Sequence, residues 1–318
     1  MENIKYIKHG LLIAAVTGLI ACGGGSNSSS DVNYSGKTNQ AKITADNVDG
    51  FYDATNGAES PPNTSANAAT NSSQQSTQGN RLSRFASRLR SASSSASSGY
   101  SGGSSGTNAQ IVSADDVIDG PCGGQAVVAG TKDDEVFNVD LTVSFQDYCD
   151  DDGTFNGVIG VVGSDNDTTG VFNIKMTFTD ITYKSDTDSM ALNGEVSAAG
   201  TESDFTIKMT LNYKDSNANK VYRVENYVLT VTDSNTLTLQ AKVYHPDYGY
   251  VVVSTPTPVY VDPVTDLPVS GVVVLTGDNS SATIVFHDGY YMITVVDGTT
   301  TTEKQCDSTT DVCTVISP

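Results

Sequence analysis

Cysteine thiols are the most reactive side chains in this sequence, and their positions indicate two separate uses. Cys22 closes an apolar run near the start of the chain, whereas Cys122, Cys149, Cys306 and Cys313 lie far downstream. Four cysteines in an exported chain favour disulfide bonds. We predict the pairs Cys122–Cys149 and Cys306–Cys313, because each pair brackets a hairpin or a loop. A zinc site is the competing interpretation, but it would require closely spaced Cys-x-x-Cys pairs or neighbouring histidines.

Aspartate clusters are the second group that could do chemistry. Asp150 and Asp152 belong to an Asp-Asp-Asp-Gly run, and Asp165 and Asp167 flank a single asparagine. Carboxylates crowded into a loop can chelate Ca²⁺ through oxygen ligands, but the spacing of these residues is not that of an EF-hand. Acidic turns in a β protein are the commoner explanation. We therefore expect no metal or other cofactor, and we keep calcium as the alternative.

Histidine and tyrosine offer recognition chemistry rather than catalysis. His245 and His287 are the histidines beyond the first segment, and neither has a nucleophile–base arrangement beside it in the sequence. The sequence therefore predicts that the protein is not an enzyme. The stretch 244–250 contains three tyrosines, which can line a sugar or lipid groove by ring stacking and hydroxyl contacts. Half-exposed tyrosines of an ordinary sheet are the commoner alternative.

The first 21 residues predict export. Lys5 and Lys8 precede an uncharged apolar stretch over 10–21, which is too short for a transmembrane helix of ~20 residues. A basic start, a short apolar run and small residues at its end are typical of a secretory signal peptide.

The residues Leu19-Ile20-Ala21-Cys22 resemble the lipobox of bacterial lipoproteins. The resemblance implies that Cys22 is acylated, palmitate included, and becomes the first residue of the mature chain. Several acyl chains anchor a protein stably, where one chain binds only marginally. Gly23 replaces the aspartate usual in inner-membrane retention, so the resemblance implies the outer membrane, with the domain facing the periplasm or the cell surface. An ordinary cleaved signal peptide is the alternative.

Residues 22–108 are predicted to be a disordered tether rich in Ser, Gly and Asn, because so few apolar residues cannot bury a core. A first helical island is predicted near 46–54, where Asp46 or Asn47 would cap a short helix that docks on the domain.

A second helical island is predicted near 81–90. Leu82, Phe85 and Leu89 would share one helical face. The basic residues of the island are Arg81, Arg84, Arg88 and Arg90. Such a segment would lie on lipid headgroups, dock on the protein's own acidic domain, or form a helix only transiently.

Residues 109–318 are predicted to form one acidic, all-β domain. Apolar and polar residues alternate, as in Phe172 to Phe178, which is typical of strands with one buried face. We expect about 12–14 strands in one antiparallel meander, folded as a curved sheet, a half-barrel or a sandwich. Turn signals include Asp152-Gly153, Asn156-Gly157, Asn193-Gly194 and Asp288-Gly289.

Charge excludes one class of partner. Residues 109–318 carry 31 acidic and nine basic residues. Such a domain cannot bind nucleic acid by neutralising its phosphates.

The acidic domain also resembles uncharacterised exported β-rich proteins of Gram-negative bacteria, in the stretches 122–124, 249–255 and 268–271 and in Asn156-Gly157 and Asn193-Gly194 placed inside strands. That resemblance implies no activity. The sequence thus favours a lipid-anchored, non-catalytic binding or structural module of the cell envelope. Its ligand would be a lipid, a glycan or an envelope protein. A surface-displayed adhesion module, calcium-stabilised or not, is the alternative, and an unrecognised envelope enzyme is the third.

Overall fold

The structure, a computed structural model, describes part of the chain. The described residues are 32–51, 110–133, 138–150, 153–166, 169–184, 189–201, 203–215, 219–265, 267–310 and 312–317. Cys22, the predicted signal peptide and the predicted island near 81–90 lie outside these residues. Within the described ranges, no helix has the length and apolar character needed to cross a membrane.

The described chain is built from strands that pair in the order in which they occur, as an antiparallel meander that does not close. They are β1 (Gln110–Asp119), β2 (Gly123–Asp133), β3 (Asn138–Asp150), β4 (Gly153–Asn166), β5 (Val171–Lys184), β6 (Ser189–Gly200), β7 (Phe205–Asp215), β8 (Lys220–Thr232), β9 (Thr236–His245), β10 (Gly249–Val261), β11 (Pro268–Gly277), β12 (Ser280–His287), β13 (Tyr290–Asp297), β14 (Thr300–Asp307) and β15 (Cys313–Ser317). The all-β prediction is confirmed, with 15 strands among the described residues instead of 12–14. One helical turn, at 48–51, falls inside the range of the first predicted island.

The alternation seen in the sequence sets which face of each strand is buried. In β5, Phe172, Ile174, Met176 and Phe178 are buried, and the residues between them are exposed. In strands β12 and β13, buried residues alternate mostly with half-buried ones. Each large apolar side chain moved from water to the buried face contributes about 1.5–3 kcal/mol to stability.

The sheet comprises two compact units. In its described residues, unit 1 comprises 32–33, 110–199 and 212–220, and unit 2 comprises 34–51, 200–211 and 221–317. In unit 1 a disulfide joins Cys122 to Cys149, and in unit 2 a disulfide joins Cys306 to Cys313. These are the two pairs predicted from the sequence.

Two hairpins of unit 1 contain the same β-bulge. In β3–β4 the Asp147 amide donates to Asn156 Oδ1 at 2.8 Å, and Asn156 Nδ2 donates to Asp147 Oδ1 at 3.0 Å. In β5–β6 the same two bonds join Asp180 and Asn193, at 2.6 and 2.9 Å. Both aspartates have positive φ, near 50°. A bulge of this kind bends its strand and increases the local twist.

The Asn-Gly pairs at 156–157 and 193–194 therefore lie inside β4 and β6 and are not turns. Asn-Gly favours positive φ at Gly in a bulge as much as in a hairpin turn. Gly157 has φ of 105°, and a Cβ added there would overlap the carbonyl oxygen of Asp180 on β5.

We expect Gly157→Ala to destabilise the protein by about 2 kcal/mol or more, because it adds both backbone strain and this overlap. Gly160→Ala is the control on the same strand, since a Cβ added there would meet only Thr177 Cβ, at 3.8 Å. The control should change stability by less than about 1 kcal/mol. Urea unfolding of the two variants tests this, and equal unfolding free energies would contradict the role assigned to the bulge.

Candidate functional site

Residues 34–51, called here the strap, complete the sheet of unit 2 at one end. β10 and β11 pair with each other only from Val252 and Thr276 onward. The strap's main chain lies between them before that point. The Ala41 amide donates to the Tyr250 carbonyl at 2.8 Å, and the Ala41 carbonyl accepts from the Asp278 amide at 2.7 Å. Ala41 thus hydrogen-bonds to chain on both sides, as a residue within a sheet does.

Two glycines allow this close approach of the strap. Gly249 has φ of 105°, and a side chain there would overlap the Asn39 carbonyl oxygen. A side chain at Gly277 would overlap the Ala41 carbonyl oxygen. Both glycines begin or end a strand, so each has the appearance of a turn residue in the sequence.

The strap is also part of the hydrophobic core of unit 2. Ile43, Val48 and Phe51 are completely buried. Asn47 precedes the helical turn that carries Phe51, and its Oδ1 accepts from the Thr44 amide at 2.8 Å. The tether predicted for 22–108 therefore does not describe residues 34–51, because their apolar side chains, though few, are buried against the sheet.

An ion pair between a buried lysine and a half-exposed aspartate fixes the far end of the strap. Lys304 Nζ of β14 lies 2.8 Å from Asp49 Oδ2, and the Lys304 side chain is only 10% exposed. A buried ammonium group without a partner is strongly unfavourable, so Asp49 stabilises Lys304 in this position. A second pair, between Lys42 Nζ and Asp297 Oδ1 at 2.7 Å, is more exposed and contributes little.

Tyr244 belongs to the tyrosine-rich stretch 244–250 of the sequence. Side chains from β8, β9, β10 and the strap surround it, and we call this group the tyrosine–lysine face. Cross-strand pairing puts Tyr244 between Arg223 and Tyr250. The Tyr34 ring of the strap lies 5.4 Å from the Tyr244 ring, edge to face. The tyrosine–lysine face comprises Tyr34, Arg223, Glu225, Lys242, Tyr244 and Tyr250.

Lys242 is the central cation of this face. Its Nζ lies 3.8 Å from the ring centroid of Tyr250 and 4.8 Å from that of Tyr244. A hydrogen bond with Tyr244 raises the pKa of Lys242 above its ordinary value, so the ammonium group is charged at neutral pH. An ammonium group over aromatic rings is held by the negative face of each ring.

The other polar groups of the face are satisfied by one another. The Tyr244 hydroxyl donates to Glu225 Oε2 at 2.7 Å, and Arg223 forms an ion pair with Glu225. Burial raises the pKa of Tyr244. Burial also raises the pKa of Tyr34, to about 12, and its hydroxyl donates to the Lys37 carbonyl at 2.7 Å. Tyr244 itself is buried, so the groups of the face that reach solvent are the half-buried side chains of Tyr34, Arg223, Glu225, Lys242 and Tyr250.

The two histidines lie among aromatic rings. His245 is buried, its ring stacks on that of Tyr248 at 4.4 Å, and its Nδ1 accepts from the Asp247 amide at 3.2 Å. His287 stacks on Tyr290 at 4.7 Å.

The aspartates considered for calcium are not brought together by the described structure. Asp150 Oδ1 accepts from the Gly153 amide at 3.1 Å and so closes a turn. Asp165 lies in β4 opposite Phe172, and Asp152 and Asp167 lie outside the described residues. Across the part of the chain that the structure describes, no three acidic, histidine or cysteine side chains are grouped to hold a metal ion.

Comparison of the chain with protein-family models, curated proteins and solved structures gave no match. The tyrosine–lysine face offers binding chemistry: aromatic rings, an ammonium group and a guanidinium–carboxylate pair. Sequence reasoning identified Tyr244 and Tyr250 but missed Tyr34, Arg223 and Lys242, which only the strand register and the strap bring to them.

We expect Ile43→Ala to lower the free energy of unfolding by about 2–5 kcal/mol, because it removes a fully buried side chain of the strap. Thr38→Ala, at an exposed position of the same strap, is the control and should stay within about 0.5 kcal/mol of the wild type. Urea unfolding measures both. An unchanged free energy in Ile43→Ala would mean that the strap is not part of the core.

We expect the free energy of unfolding to fall as pH rises from about 10 to about 12, because the stabilising contribution of the protonated Tyr34 hydroxyl is lost in this range. The folded chain keeps the Tyr34 proton up to about pH 12, whereas a tyrosine in its ordinary state loses it near 10.0. The folded state then binds more protons than the unfolded state, so stability falls as pH rises through this window. Tyr34→Phe should make the fall shallower. Urea midpoints at pH 9, 10, 11 and 12 test this, and parallel curves for the two proteins would contradict it.

Proposed function

We propose that this protein is a lipid-anchored, non-catalytic binding module of the bacterial cell envelope. The signal peptide 1–21 would be removed, and Cys22 would carry the acyl chains. The observation that carries the proposal is the pair of disulfides, because such bonds persist in oxidising compartments and not in the cytosol. Export also agrees with the basic and apolar order of the N-terminus and with its lipobox-like ending.

The outer membrane is the proposed location, since Gly23 follows the cysteine in place of aspartate. The domain would face the periplasm or the cell surface. The proposed ligand is a lipid, a glycan or another envelope protein.

Binding by unit 2 would use the tyrosine–lysine face. The strap packs into the hydrophobic core of unit 2, so the apolar groups there are already engaged with the protein's own chain. The tyrosine–lysine face combines rings that stack with groups that donate and accept hydrogen bonds, which suits a partly polar ligand.

A surface-displayed adhesion module is the second candidate. It is favoured by the exposed tyrosines Tyr248, Tyr260 and Tyr290, because tyrosine supplies a large contact area at low entropic cost. Protease treatment of intact cells distinguishes the two. Loss of the domain while a periplasmic marker survives would support adhesion, and protection would support a periplasmic ligand.

Acylation is tested by mass spectrometry of the protein purified from its membrane. We expect the mature chain to start at Cys22 and to carry diacylglyceryl and acyl groups. Cys22→Ser should leave the membrane fraction, because it removes the thiol to which the lipid is attached. A mature wild-type chain with an unmodified cysteine would overturn the lipid anchor and support the ordinary cleaved signal peptide.

A further inference from the structure

The strap places unit 2 close to the proposed anchor. Tyr34 is the first residue of the strap and follows Cys22 by 12 positions. Even fully extended, 12 residues reach no more than about 42 Å. Because an acylated Cys22 lies at the membrane surface, Tyr34 stays within about 40 Å of the lipid headgroups, whatever the conformation of the intervening residues.

Three of the six described cations of unit 2 lie near Tyr34. Residues 221–318 contain eleven acidic and three basic residues, and two of these three, Arg223 and Lys242, lie on the tyrosine–lysine face. Lys37 adds a third, exposed cation, since its amide donates to the Pro246 carbonyl in the turn between β9 and β10 at 3.1 Å.

Two carboxylates lie among these three cations, Glu225 on the face and the exposed Asp247 in the turn. The turns at the opposite strand ends carry aspartates that cap their own loops. Asp262 accepts from the Val264 amide at 2.7 Å, and Asp307 accepts from the Thr310 amide at 2.8 Å. Asp278 and Asp297 lie at the same strand ends as the turn at 246–248, so the three cations near Tyr34 are a local cluster that can bind headgroup phosphates and not a positively charged end of the sheet.

The same region has one exposed amphipathic side chain, Tyr248, and one exposed apolar side chain, Val252, which both suit a membrane interface. Tyr248 and Val252 are each 41% exposed, and they neighbour Tyr250 in sequence. Tyrosine is favoured at the headgroup level because its ring is apolar and its hydroxyl group remains hydrated. A lysine there can bury its aliphatic stem while its ammonium group reaches a phosphate.

We propose that the tyrosine–lysine face, together with Lys37 and Tyr248, is a membrane-contact surface that rests on phospholipid headgroups of the leaflet holding Cys22. The proposal rests on the proposed acylation of Cys22. The proposed contact would orient unit 2. Successive turns of an antiparallel meander lie alternately at its two ends, so only one set of turns can approach the bilayer. The turn at 246–248 would face the bilayer, and the turn at 288–289 would lie away from it by about 30 Å, the length of one strand.

The absence of tryptophan from the chain allows a direct test. Tyr248→Trp and Tyr290→Trp each introduce one fluorophore, at exposed positions at opposite strand ends. Each full-length lipoprotein is purified and reconstituted into vesicles of phosphatidylethanolamine and phosphatidylglycerol, with or without brominated lipid as a quencher. We expect brominated lipid to quench about half of the fluorescence of Tyr248→Trp, which contacts the interface, and to leave that of Tyr290→Trp unchanged.

A charge variant tests the cation. Lys242→Gln in the Tyr248→Trp background should reduce the quenching, whereas Lys208→Gln, which removes an exposed lysine from β7, should not. Far-UV circular dichroism confirms that each variant is folded.

Vesicle flotation separates this proposal from the anchor itself. Flotation with quenching of Tyr248→Trp alone supports the contact surface. Flotation with equal quenching at both positions, or with none at either, overturns the contact surface and leaves the acyl anchor intact. Protein that does not float, with an unmodified Cys22, overturns the anchor and the contact surface with it.

Discussion

The buried face of unit 2 must be covered, and much of the local structure follows from how the strap covers it. β9, β11, β12 and β13 each direct a row of apolar side chains to one face, with Val243, Leu275, Ile284 and Ile293 almost completely removed from water. A meander that does not close cannot cover such a row by pairing alone. The strap supplies Ile43, Val48 and Phe51 to this core, and its main chain satisfies backbone groups where β10 and β11 have not yet met. Glycine is required at positions 249 and 277 because a side chain there would overlap the main chain of the strap.

The positive side chains of unit 2 are few, and several of them lie against the strap or near it. Lys304 is buried on β14 opposite Asp49, and Lys42 pairs with Asp297 at the edge of the strap. Lys242 and Arg223 instead lie over tyrosine rings beside one carboxylate. Each described cation named here has a defined electrostatic partner, which is the arrangement expected where few positive charges offset many negative ones.

Much of the fold could be predicted from the sequence because strand formation here is a local property. The alternation from Phe172 to Phe178 encodes both the strand and its buried face, and the two disulfides join elements that are neighbours in the meander. The Asn-Gly bulges were harder, because the same dipeptide satisfies a turn and a bulge, and only the partner aspartate on the next strand decides between them. The strap was the hardest element to predict from the sequence. Its few apolar residues cannot form a core alone, and their partners lie in another part of the chain.

The pairing of Asp49 with Lys304 spans 255 residues of sequence and has a consequence for how the molecule matures. Contacts between residues so distant in sequence form slowly, because a long stretch of chain must first be brought together. The strap is synthesised before any strand of the sheet, yet two of its partners follow it by 237 and 255 residues. They are Ser280 on β12, whose hydroxyl oxygen accepts from the Ile43 amide at 2.7 Å, and Lys304 on β14. Unit 2 therefore cannot finish folding while the chain is being synthesised. Until the strands that cover it emerge, the apolar side chains of the strap remain exposed, and during that interval a nascent chain of this kind depends most on chaperones.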